Sequence, residues 1–461
     1  MENFWDFKVW GVVNLFAVLL MSLLCANILK RKIKFFKASL IPNSVLGGAI
    51  LLIIAGVYKL VTGEVMFNNE FFGGNGIATL EIITYHALAL GFIASTLKGA
   101  KGKFSRKRTT EIFNTGVTTV STYLLQGVLG LGITVIAAKI LNGFFAAAGI
   151  ILPFGFGQGP GQALNYGTIY ESDHGFINGA SFGLIIASIG FLCASIGGVF
   201  YLNILKRKKK IVVSYDETNE VLSTENIQSE NEIPMQGSID KITIQIAFVF
   251  LAYFVTYLLM VLLGNLIPSM KSVIYGFNFL IGVLSATLIK LILNLLKKAK
   301  IVEKEYTNDF LMTRISNLFY DIMVVASIAA IRLGILKDYW GIVLILAVVG
   351  MVSTYIYNLY VAKTLFKDYV DEQFLTMYGM LTGTASTGVI LLREIDKDFK
   401  TPASDNLVYQ NFPAIVFGFP IMLLAKLAPI KPILTLAILA LLLVVMNIIL
   451  FRSKIFKKRD K

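Results

Sequence analysis

The sequence predicts an all-α polytopic membrane protein: two inverted five-helix repeats, each with a re-entrant hairpin, plus one extra C-terminal helix. Three observations carry that expectation. Of 461 residues, 56% are hydrophobic and only 15% are charged, far more apolar surface than a soluble domain of this length needs. The apolar residues fall into eleven runs, each about the length that crosses ~30 Å of hydrocarbon at 1.5 Å per residue. Two glycine-rich stretches interrupt the pattern at corresponding places in the two halves of the chain.

In the first half the apolar runs cover 10–29, 42–62, 80–97, 112–139 and 176–204. The first of them, Trp10 to Leu29, is long enough to span and lacks a small-residue cleavage site before its basic flank, so it reads as a transmembrane helix and not a signal peptide. In the second half they cover 241–267, 273–295, 313–331, 339–363, 406–427 and 431–451. Between the halves the composition shifts to Glu, Asn, Ser and Thr from Ile211 to Asp240, which reads as a flexible linker. The expected organisation is therefore a first repeat at 1–205, a cytoplasmic linker at 206–240, a second repeat at 241–428, and an extra helix with a basic tail at 429–461.

The formal net charge of +14 sits in short clusters beside the apolar runs. Lys30-Arg31-Lys32 closes the first, Lys101 to Arg108 lies between the third and fourth, and Lys206 to Lys210 follows the fifth, whereas 63–76 holds Glu64 and Glu70 and no basic residue. Positive-inside topology accounts for these clusters better than a nucleic-acid surface does, and it places the N-terminus outside and the C-terminus in the cytoplasm. The two cysteines, Cys25 and Cys193, fall inside apolar runs, so they form no disulfide framework, and with two histidines in the chain a structural zinc site has no ligand set.

The first interrupted stretch, Leu152 to Tyr170, reads LPFGFGQGPGQALNYGTIY, with five glycines, two prolines, two glutamines and an asparagine. Glycine and proline break the backbone ladder, and in a bilayer every freed N–H or C=O needs a partner inside protein. A re-entrant segment over 144–171 follows. The second stretch, Tyr378 to Leu392, reads YGMLTGTASTGVILL and predicts a re-entrant segment over 368–393. Five spans is an odd number, so a repeat of the first half enters the membrane upside down and the two segments dip from opposite sides. Phe154-Gly155 and Gly159 match Tyr378-Gly379 and Gly383, each 224 residues on.

Gln158, Gln162 and Asn165 carry amides to membrane depth, where a polar solute can satisfy them. Gly157, Gly159 and Gly161 allow close backbone approach, and Pro160 stops a helix from running through. Open helix ends offer N–H groups to an anion and C=O groups to a cation. The competing reading is a kinked helix whose amides bond to its neighbours. Around Gly383 and Gly388, the hydroxyls of Thr382, Thr384, Ser386 and Thr387 form a hard-oxygen group suited to sodium, unless they bond back to their own helix. Asp321 is an ionisable residue inside a span and Asn411 a polar one, and both are ion-site candidates. Glu81 and His86 stand where snorkelling to water competes with function. Arg393 can hold a carboxylate bidentately or form a surface pair with Glu394. Asn178, Ser181, Pro413 and Pro420 add polar or kinked character to neighbouring spans. The chain has no Walker loop, nucleophile elbow or paired histidine, so no enzyme is expected and transport would draw on an ion gradient.

In FGFGQGPGQALNYG at 154–167 and YGMLTGTASTG at 378–388 the chain resembles the sodium:glutamate symporter family, as a divergent member. It departs from better-known members in having Gln158, Pro160 and Gln162 in place of a glycine-histidine-glycine run, and in its eleventh span. The resemblance implies sodium-coupled symport of glutamate or a related carboxylate by an elevator motion of the re-entrant core against a scaffold. It also implies a homodimer in a bacterial inner membrane, with sodium as coupling ion and no other cofactor. Gln158, Gly159, Pro160, Gly161, Gln162, Asn165, Gly383, Thr384 and Arg393 are the expected solute residues. Thr382, Ser386, Thr387, Asp321 and Asn411 are those expected for the ion. Citrate-like anions, or a membrane sensor without net flux, are the alternatives.

Overall fold

The computed structural model describes residues 3–98, 105–141, 143–208, 239–268, 271–276, 278–302, 304–332, 336–396 and 400–455. Most of the expected linker and the end of the basic tail lie outside these residues. Among the described residues the chain is helical and forms no strand. The first half runs α1 (Phe7–Lys32), α2 (Lys34–Ala38), α3 (Asn43–Thr62), α4 (Gly76–Thr96), α5 (Arg106–Ile140), α6 (Ile151–Gly157), α7 (Pro160–His174) and α8 (Gly179–Arg207). The second runs α9 (Lys241–Leu266), α10 (Lys271–Gly276), α11 (Asn278–Lys298), α12 (Asp309–Ala329), α13 (Leu336–Leu365), α14 (Val370–Thr382), α15 (Ala385–Arg393), α16 (Ala403–Tyr409) and α17 (Asn411–Leu427). Last come α18 (Pro432–Leu450) and α19 (Arg452–Ile455).

Ten of these helices are long and apolar enough to cross a membrane, which makes the chain a multi-pass membrane protein by length and composition. The pair α16 and α17 would be an eleventh span, bent by 52°. The bend has a local cause: Pro413 has no N–H to return to the carbonyl four residues back, at Tyr409. In both halves the order of elements is the same: long helices, a pair broken by two residues, then the last span.

The helices divide into two compact units, Met1–Ala78 with Phe104–Ser214 and Ser327–Lys461, and Thr79–Lys103 with Tyr215–Ala326. In the second unit Leu90, Ile93, Ala94 and Leu97 of the α4 segment pack with Val249 and Ala252 of α9, Ala286 and Ile289 of α11, and Met312 and Ile315 of α12. Ser316 closes that packing by donating to the Gly91 carbonyl (2.9 Å).

The first unit holds both broken pairs. Lipid is as apolar as leucine, so helices in a bilayer associate through close fit and interhelical hydrogen bonds. Both are present. A Cβ on Gly379 of α14 would stand 2.8 Å from the Gly388 Cα of α15, so the two arms of the second pair pack backbone to backbone. Tyr166 and Tyr170 of α7, fully buried, donate to the Met422 and Ala425 carbonyls of α17. The helix added after the second half, α18, packs along α5, with Leu439 beside Gly127. It is tied down at its far end by Tyr357 donating to Asn447 (2.8 Å) and by Arg452, which bonds Asn114 (3.0 Å) and covers the Phe113 ring.

Candidate functional site

The α6 helix is only seven residues long, and every one of them is buried. It stops at Gly157 because Pro160 cannot supply the N–H that would continue it, and Gly159 turns the chain at φ +86°, ψ 179°, a conformation open essentially to glycine. Pro160 then takes the first helical position of α7, where its missing N–H costs nothing. In the second pair, α14 ends at Thr382, Gly383 and Thr384 form the break, and α15 starts with Gly388 N–H bonded to the Thr384 carbonyl (3.1 Å).

The two breaks meet. A Cβ on Gly159 would lie 3.4 Å from the Thr384 methyl group, so the residues that begin α7 and α15 are in contact. Two helix N-termini and two helix C-termini therefore gather at one place, with Gly159 and Gly383 buried and Gln158 and Thr384 partly so. The first turn of each helix leaves N–H groups without a carbonyl of its own helix, and the last turns of α6 and α14 leave carbonyls.

Part of that demand is met by α5. Tyr123 donates to the Gly157 carbonyl (3.0 Å), and Gln126 donates to the Leu381 carbonyl (2.9 Å) and to the Thr354 hydroxyl (2.8 Å). Thr382 bonds back to the Tyr378 carbonyl of its own helix (2.6 Å), while Tyr378 itself donates to the Cys193 carbonyl (2.8 Å). Two glutamine side chains at the first break have a demand of their own. Gln162, 1% exposed, has neither side-chain amide atom hydrogen-bonded, and the side-chain Oε1 of Gln158 is also buried without a partner. Each such group costs about 1–3 kcal/mol when left unsatisfied inside protein.

No protein-family model matches the chain, and no curated protein does.

Gln158, Gly159, Pro160, Gly161 and Gln162 form the first break and the turn after it, with Asn165 half-buried one turn further along α7. Gly383 and Thr384 form the second break. Thr387 is buried on the first turn of α15, 3.4 Å from the Thr384 hydroxyl, while the Ser386 side chain lies outside the described ones. Asn411 reaches the same neighbourhood through Gln410, which donates to it (3.1 Å) and to the Met380 sulfur of α14 (3.3 Å). One residue stands apart. Arg393 is the exposed last residue of α15, about 12 Å from the break at 1.5 Å per residue. Asp321 is exposed on α12 and belongs to the other compact unit, as do Glu81 and His86, the latter bonded to the Tyr253 hydroxyl (2.5 Å). Ser181 accepts from the Arg332 backbone (3.3 Å), and Asn178 caps α8 in a left-handed conformation.

Sequence reasoning passed over the α5 and α13 residues that face the breaks. Their signal is an internal duplication: Val120-Ser121-Thr122-Tyr123 recurs as Val352-Ser353-Thr354-Tyr355, 232 residues on, and Gln126 and Asn358 stand at the same place after each copy. In space the copies face each other. Gln126 donates to Thr354, and Asn358 donates to Thr122 (3.3 Å).

Proposed function

We propose that this chain is a secondary active transporter that carries glutamate or a related small carboxylate together with sodium by alternating access. The observation that carries the reading is the contact between Gly159 and Thr384 beside the buried, unpartnered amide of Gln162. An anion on the open N-termini of α7 and α15 would take N–H groups no helix carbonyl can reach, and the Gln162 amide can donate to a carboxylate oxygen. The last carbonyls of α6 and α14, a few ångströms away along the chain, favour a cation.

The two halves are inverted repeats in this reading. The duplicated Val-Ser-Thr-Tyr segment supports it, because the cross-paired bonds of Gln126 with Thr354 and Thr122 with Asn358 are those expected of two helices related by a two-fold axis. The unit holding the breaks is the carrier core of an elevator. Each ligand completes the other's site, so the fully loaded core is the form that crosses. In this reading the basic loops face the cytoplasm of a bacterium, with the N-terminus outside its inner membrane and the C-terminus within.

The test is uptake of labelled glutamate, and competition by a panel of mono-, di- and tricarboxylates, in proteoliposomes with an inward sodium gradient or with choline in its place. Accumulation that follows the sodium gradient supports the reading, and competition ranks the solutes. Binding without net flux under every condition removes it in favour of a sensor.

A further inference from the structure

We infer that Thr122 and Gln126 on α5, with Thr354 and Asn358 on α13, form a site for a small alkali cation one step behind the two breaks. The four residues make a square: each helix contributes a threonine and, four residues on, an amide, and the bonds run crosswise. Gln126 donates to the Thr354 hydroxyl (2.8 Å) and to the Leu381 carbonyl (2.9 Å). Asn358 donates to the Thr122 hydroxyl (3.3 Å) and to the Thr354 carbonyl (2.9 Å).

Those bonds fix which way the amides face. A backbone carbonyl only accepts, so the atom of Gln126 on Leu381 and the atom of Asn358 on Thr354 are nitrogens. Each amide oxygen is thereby committed to the branch away from those bonds, and Gln126 Oε1 and Asn358 Oδ1 are each buried with no partner. Gln126 is 0% and Asn358 1% exposed, and Thr122 and Thr354 are 0% exposed.

Two unsatisfied acceptors on facing residues, held by one shared threonine, call for a donor or a cation. The groups are oxygen ligands, which suits a hard ion. They are neutral, which suits a single charge, since nothing in the square would balance two. Water is the competing occupant, because it too can donate to both oxygens. That the ion is the one whose gradient drives the solute rests on the function proposed above. The ion site itself does not.

The test uses the purified full chain in detergent, with no carboxylate present. Thermal unfolding is followed across a titration of sodium, lithium, potassium or choline chloride at constant ionic strength, and binding of radioactive sodium is measured directly. The inference expects saturable stabilisation by sodium or another alkali ion over choline, with bound ion displaced by the unlabelled salt. Thr354→Val and Asn358→Leu should weaken apparent affinity roughly tenfold or more, whereas Thr354→Ser, which keeps the oxygen, should retain it. Gln162→Leu should keep the ion response while losing carboxylate handling, so failure of the ion site and failure of the transport reading appear in different measurements. Stabilisation equal in choline and no bound sodium would show that water fills the square and overturn the inference. So would an ion response that survives both Thr354→Val and Asn358→Leu.

Discussion

Tyr123 and Gln126 stand one turn apart on α5, and each donates to the end of a different broken helix: Tyr123 to Gly157 at 3.0 Å, Gln126 to Leu381 at 2.9 Å. One helix thus holds the ends of both breaks. The Tyr123 ring also fills the space a Cβ on Gly157 would need, so the phenol ring packs and its hydroxyl bonds at the same residue.

Tyr123→Phe separates those two roles. The ring stays and the Gly157 carbonyl loses its donor, which should lower stability by about 1–3 kcal/mol. Unfolding of the purified protein measures it, and unchanged stability would mean that another donor holds that carbonyl.

Gly159→Ala acts on the backbone. At φ +86° an alanine is strained whatever space surrounds it, at a cost of order 1–3 kcal/mol, and uptake should fall with the distortion of the break. Gly132 is the control: a Cβ there meets nothing within 4 Å, and in the middle of α5 alanine should be neutral or stabilise by up to about 1 kcal/mol. Equal effects at the two glycines would contradict the account of the break.

These residues show what was legible beforehand. The spans follow from runs of apolar residues, and the breaks from glycine and proline, because both signals are local: length against hydrocarbon thickness, and loss of an N–H or freedom of φ. Thr122, Gln126, Thr354 and Asn358 carry no such signal. A threonine or amide inside an apolar helix looks tolerated until its partner is known, and the partners lie 228 and 236 positions away. The duplication that marks them is offset by 232 residues, whereas the glycine matches are offset by 224, because the chain from Tyr355 to Gly379 is shorter than the chain from Tyr123 to Gly155. Arg393 illustrates the reverse. Its chemistry suits a carboxylate, but two turns of α15 put it away from the break.

The segment that follows α15 makes a prediction about pH. Asp396 accepts from the Lys400 and Thr401 backbone N–H groups and from the Thr401 hydroxyl (2.9, 2.8 and 2.6 Å). Burial pushes its carboxyl up, but those bonds and Lys400 outweigh burial and hold it below the usual value. A carboxylate with a depressed pKa stabilises the fold above its unfolded pKa of about 3.9, and that contribution is lost as pH falls through the lower folded value. Asp396→Asn should therefore be less stable than wild type near neutral pH, with the gap closing in acid. A gap that is constant with pH would contradict the assignment.

The α18 helix should be indispensable to the unit it joins. It covers the α5 face at Gly127, and Tyr357 and Arg452 bond it at Asn447 and Asn114. Removing 429–461 should give aggregated protein by size-exclusion chromatography. A monodisperse truncated chain with full stability would show that α5 does not depend on that cover.

Gln162 puts the central claim to the most direct test, because a buried amide with neither atom bonded is a cost the fold carries for a ligand. The measurement is sodium-driven carboxylate uptake by wild type and Gln162→Leu in proteoliposomes, beside unfolding of both proteins. The account predicts that the variant is at least as stable as wild type, since two unsatisfied groups of about 1–3 kcal/mol each are gone, and that its uptake efficiency falls about tenfold or more. Undiminished uptake by a well-folded Gln162→Leu protein would contradict it.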